Sequence, residues 1–159
     1  MKKIDKKPKA VVYCRVVTRS VRNRSDSLKG QEESCLSKLK GDNKYQLTEV
    51  IKDVEYSKSE KNVGKSIPRI LSLAKERKIS GMYVSNLDRI SRDLNTLFKT
   101  MDFLNRHGVK IISISAPHAS DSFSQSISVI LANFYREHHS EKIKRALAHK
   151  KESQKLLKN

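Results

Sequence analysis

Apolar residues in this chain fall into short blocks whose spacing alternates between strand and helix. Ala10 to Val16 is a continuous β-branched and apolar run, the pattern of a strand covered on both faces. Cys35, Leu36 and Leu39 place a short helix over residues 31–40, closed by Gly41 as a C-terminal cap. Leu47 to Val54 reads as a second strand. Ile67, Ile70, Leu71 and Ala74 then share one helical stripe, with Ser66 as N-cap and Pro68 in the first turn. Gly81 to Ser85 is a brief third strand. Leu94, Leu97, Phe98, Met101 and Leu104 form the next helical stripe, which runs to Gly108, and Val109 to Ser115 is the fourth strand. Strands separated by helices require right-handed crossovers, so the fold is predicted to be α/β: a twisted, mainly parallel sheet flanked by helices. The polar, basic stretch from Arg19 to Lys29 is expected to be a mobile loop.

The last third has a different pattern. From Ser124 to about Leu157 there is neither proline nor glycine, which predicts one long C-terminal helix of roughly 50 Å. Its first half carries Ile127, Ile130, Leu131 and Phe134, suited to packing on the domain or on a partner. Its second half carries Lys142, Lys144, Arg145, Lys150 and Lys151 with few acids. The expected organisation is a domain over residues 1–123 and the long helix over residues 124–159, apolar in its first half and basic in its second.

Composition narrows the partners. The 159 residues contain 34 Lys and Arg against 17 acids, a formal net charge of +17. That excess repels itself in a compact state and attracts polyanions, so nucleic acid is the default partner. No apolar run approaches the roughly 20 residues needed to span a bilayer, and the basic N-terminus lacks the features of a signal peptide. The chain is expected in the cytoplasm, with the nucleoid. Cys14 and Cys35 have no ligand-like spacing and read as small core residues.

Several short blocks carry candidate chemistry. These are Tyr13-Cys14-Arg15-Val16-Val17-Thr18, Ser27-Leu28-Lys29-Gly30-Gln31, Asp53-Val54-Glu55-Tyr56-Ser57, Leu87-Asp88-Arg89-Ile90-Ser91-Arg92 and Asn133-Phe134-Tyr135-Arg136-Glu137. In order and in spacing they resemble Tyr-x-Arg-Val-Ser-Thr, Ser-Leu-x-x-Gln, Asp-x-Gly-Tyr-Ser, Leu-Asp-Arg-Leu-Ser-Arg and Glu-Phe-Glu-Arg-Glu of the serine recombinases, the resolvase/invertase family. The fourth block is the most specific, and the resemblance runs from Ala10 to about Lys150.

The resemblance implies a domain that breaks DNA by attack of a serine hydroxyl on a phosphodiester. Charge then develops on the non-bridging oxygens, where guanidinium groups stabilise it by paired hydrogen bonds. By that resemblance Arg15, Arg89 and Arg92 are phosphate clamps, and Asp88 orients an arginine or moves a proton. Gln31 and Arg136 support the site, and Asp53 braces it. Three departures stand out. The nucleophile position is Val17, which has no lone pair. Ile67 precedes Pro68 where the family has arginine, and Tyr135 replaces a glutamate. Thr18 occupies the family's own threonine position and faces away from its strand neighbour, so it is not expected to substitute. The chain is therefore expected to be a DNA-binding relative that cannot cleave, with a regulatory or accessory role. The resemblance further implies a homodimer or tetramer that dimerises through the first half of the long helix, alone or mixed with an active serine recombinase, and no separate DNA-reading domain is expected. A working recombinase with an unusual or knocked-out nucleophile and a protein-interaction module are the alternatives.

Other patterns are weaker. Ser59 to Ser66 nearly spells a phosphate loop but has serine where the first glycine belongs, and chance produces such partial motifs easily. His138 and His139 are adjacent and would project about 100° apart on a helix, a poor metal pair. Neither a metal nor a cofactor is expected.

Overall fold

The protein's structure, a computed structural model, describes residues 7–18, 22–56 and 63–115. The elements are β1 (Lys9–Thr18), α1 (Arg22–Asp42), β2 (Gln46–Tyr56), α2 (Ile67–Lys75), β3 (Gly81–Val84), a single 3-10 turn (Leu87–Arg89), α3 (Leu94–Arg106) and β4 (Lys110–Ser113). Among the described residues, four strands form one sheet in the order β2-β1-β3-β4, with every pair parallel. The most continuously apolar segment, β1, lies inside it. Ala10 to Cys14 have no solvent exposure, as a strand covered on both faces requires.

The helices divide between the faces. The step from β1 to β2 runs one way across the sheet, and the steps to β3 and β4 run the other way. Right-handed crossovers therefore put α1 on one face and α2 and α3 on the other. Accordingly α1 packs on β1, β2 and β3, while α2 packs against α3. Under α1, Ala10, Val12 and Cys14 join Cys35, Leu39 and Tyr83, with Leu28, Leu36, Val50 and Ile112 at the margin. Alternation sends Val11 and Tyr13 to the opposite face, where α2 buries Ile67, Ile70 and Ala74, and α3 buries Leu97, Met101 and Leu104. Both cysteines are buried core thiols, and burial raises Cys14 to about 11 and Cys35 to about 12.

Three local expectations are corrected. First, α1 starts at Arg22, so most of the stretch expected as a loop is helix. Its first turns hold no apolar residue before Leu28, and nothing in them marks a helical period. Second, Gly41 is inside α1. The chain leaves the helix through Asn43, whose φ of 50° is left-handed and whose amide donates to Leu39 O at 3.2 Å. Third, Ser66 does not cap α2 with its side chain: its backbone is already helical (φ −90°, ψ −1°), and its hydroxyl is turned to Asp53. The next helix is capped by its own acid: Asp93 accepts from the Thr96 amide at 2.8 Å. The long helix expected over residues 124–157 lies outside the described residues.

Candidate functional site

The candidate site begins where β3 ends. Pairing between β1 and β3 runs from Ala10–Gly81 to Tyr13–Val84, whereas β1 stays paired with β2 as far as Thr18–Tyr56. One edge of β1 is thus uncovered beyond Tyr13, at the carboxyl end of the sheet. This is also where the chain's direction across the sheet reverses, the usual position of a ligand crevice in open parallel sheets.

Side chains replace the missing strand. The Gln31 carboxamide, from α1, accepts from the Arg15 amide at 3.2 Å and donates to the Arg15 carbonyl at 3.1 Å. Arg89, from the turn after β3, donates through Nη1 to the same carbonyl at 3.3 Å. Backbone polar groups buried here must find partners, and these two residues supply them. Asp88 Oδ1 stands 3.4 Å from Arg89 Nε as an ion pair, with no hydrogen bond between them.

Arg15, Val17, Asp53 and Glu55 share a face of the β1–β2 pair, with Arg15 opposite Asp53 and Val17 opposite Glu55. Arg15 Nη2 donates to Glu55 Oε2 at 2.7 Å, and the two side chains are only 3% and 1% exposed. The other carboxylate oxygen, Oε1, accepts from the Lys65 amide at 3.2 Å. Asp53 has its own circle of donors. The Tyr13 hydroxyl (2.8 Å) and the Ser66 amide (2.8 Å) reach Oδ2, and the Ser66 hydroxyl (2.6 Å) reaches Oδ1. Burial first, and the bond to Asp53 second, push the Tyr13 hydroxyl well above its ordinary ionisation range and keep it a donor. Gly64 lies directly over this pair: a methyl group there would sit 1.6 Å from the Tyr13 oxygen. The loop holding Gly64 is tied to the other side of the crevice by a Val63–Ser91 bridge and a bond from Gly64 N to Ile90 O.

The residues singled out from sequence therefore separate. Arg15, Gln31 and Arg89 meet at one point, with Asp88 beside Arg89. Val17 is half-buried at the end of the same strand face. Asp53 is adjacent but braces Tyr13 and the 64–66 loop. Arg92 is exposed, three residues beyond Arg89. Ile67, at the family's arginine position, is buried in the α2 core. Arg136, Tyr135, Lys142, Lys144, Arg145, Lys150 and Lys151 lie outside the described residues. Glu55 is not among the residues the sequence points to. Its signal is the glycine of the Asp-x-Gly-Tyr-Ser pattern, a position with no side chain where this chain has a carboxylate. In the near-phosphate loop, the Lys65 and Ser66 amides are taken by Glu55 and Asp53, the protein's own anions. Among the described residues, no group of three or more His, Cys, Asp or Glu could hold a metal ion.

The family model described as the resolvase N-terminal domain matches residues 10–156, nearly the whole chain. The chain belongs to the resolvase family. Solved serine-recombinase domains share the fold of this resolvase-family chain. A resolvase family site-specific recombinase from Streptococcus pneumoniae is 23% identical with a TM-score of 0.61, covering 91% of this chain and 98% of that one. The N-terminal catalytic domain of TP901-1 integrase is 20% identical with a TM-score of 0.63, covering 84% and 98%. A serine recombinase from Sulfolobus solfataricus is 20% identical with a TM-score of 0.51, covering 89% and 96%. No curated protein matches. Among the described residues of the resolvase-family domain, no helix is long and apolar enough to cross a membrane.

Proposed function

We propose that this resolvase-family protein associates with DNA and does not cut it. The observation that carries the reading is Val17, at the end of the strand face that holds Arg15 and directly across from Glu55. A hydrocarbon side chain has no lone pair to attack phosphorus, so the covalent route is closed whatever surrounds it. Buried Ile67 removes a further cation from the family pattern. Association with DNA rests on the net charge of +17. Exposed Arg92 and the basic run Lys142, Lys144, Arg145, Lys150 and Lys151 supply the phosphate contacts, which are salt-sensitive and indifferent to sequence. The protein acts at the nucleoid as a homodimer or tetramer, or in mixed assemblies with an active serine recombinase that it regulates.

Electrophoretic shift of a DNA duplex across a salt series, followed by denaturing gels of the same samples, tests both halves. A shift that fades with added salt, with no covalent protein–DNA adduct, is expected. An adduct overturns the claim of inactivity, and absence of any shift at low ionic strength overturns DNA association in favour of a protein-interaction module. Val17→Ser alone is not expected to recover full cleavage, since Ile67 and Tyr135 remain, and complete rescue would show that those two departures do not matter.

A further inference from the structure

We propose that the Glu55 carboxylate is a built-in occupant of an anion site, holding beside Arg15 the place a phosphate group would take. The idea rests on reading the strand-end cluster as a phosphate site of the resolvase family. Arginine binds carboxylate and phosphate through the same planar fork, so one can stand in for the other. Glu55 meets a guanidinium on one oxygen and a loop amide on the other, at 2.7 and 3.2 Å, both being donors that phosphate oxygens use. The side chains of Arg15 and Glu55 are sealed from water, so an external anion must displace a carboxylate that cannot diffuse away. The family pattern has glycine here, which leaves the place open. Val17 and Glu55 are register partners on neighbouring strands. One level of the sheet has thus lost its attacking oxygen on β1 and filled the substrate's place from β2.

Inorganic phosphate is the probe. The full chain, Glu55→Ala, and the double variant Arg15→Gln/Glu55→Ala are titrated with phosphate, following the unfolding temperature and the amide resonance of Lys65. The unsubstituted chain is expected to be indifferent. Glu55→Ala is expected to gain stability with phosphate and to shift Lys65, with an affinity at least about tenfold above the unsubstituted chain's, the size of one charge-assisted hydrogen bond. The double variant is expected to lose that response. If Glu55→Ala folds only with phosphate present, the same titration is read as phosphate-dependent refolding, again absent in the double variant. Indifference of Glu55→Ala to phosphate, or an equal response from the double variant, overturns the proposal. The two readings fail separately: a phosphate response without DNA binding sinks DNA association alone, and DNA binding without a phosphate response sinks the Glu55 site alone.

Discussion

Over Ala10–Tyr13, β1 is flanked by β2 and β3 and wholly buried, and its neighbours in the sheet satisfy its backbone. Over Cys14–Thr18 the same strand has β2 alone, and Gln31 and Arg89 bond the Arg15 backbone that β3 no longer reaches. The first segment is held by apolar packing and by strands on both edges, with a register shift against β2 between Ala10 and Val11, the second by a side-chain amide and buried charge. This difference bears on how the family motifs are read. Gln31 and Arg89, which the resemblance marks for chemistry, tie down a strand end in this chain, and Asp53 anchors a loop. Their contacts beside Val17 are structural and do not require DNA cleavage.

Removing one partner of the buried ion pair should cost most. Arg15→Met leaves Glu55 buried and uncompensated, and denaturant unfolding should show a loss of about 3–5 kcal/mol. The paired change Arg15→Met/Glu55→Leu should recover most of it, because well-packed apolar replacements of buried pairs are often neutral or better. A small loss in the single variant would mean that charge is not what holds the strand end. Gln31→Leu strands the Arg15 amide and should cost about 1–3 kcal/mol by the same measurement, whereas a neutral result would dismiss the carboxamide as a strand surrogate. Gly64→Ala forces a methyl group into the Tyr13 hydroxyl and should cost about 1–3 kcal/mol. A pH dependence belongs to the apolar face under α1. Its thiols, raised by burial to about 11 and 12 from 9.0, contribute stability that is complete below pH 9 and lost as pH rises through those values. Denaturant midpoints should fall between pH 9 and 11, less steeply in Cys14→Ala/Cys35→Ala.

The apolar half of this contrast is the half the sequence makes legible. The β1 run and the stripes of α2 and α3 repeat at fixed periods, and these three elements lie within a few residues of their predicted places. The beginning of α1 is hidden because Arg22 to Ser27 contain no apolar residue to reveal a period. In the polar half, the family blocks name Arg15, Gln31 and Arg89, and the fold gathers them. What they bond to is not legible, since Gln31 meets Arg15 only because β3 stops at Val84. The Arg15–Glu55 pair depends on strand register, and two residues forty apart give no periodic sign of being neighbours.

The sulfur atoms under α1 supply this domain with a clock. Cys14 projects from β1 and Cys35 from α1 into the same sealed layer, and neither meets solvent. A small alkylating reagent reaches them only when the helix lifts from the sheet, so the labelling rate of the native chain counts those excursions. Equal protection at both positions would mean that sheet and helix part as one unit. Faster capture at Cys35 would mean that α1 peels from one end while β1 stays paired.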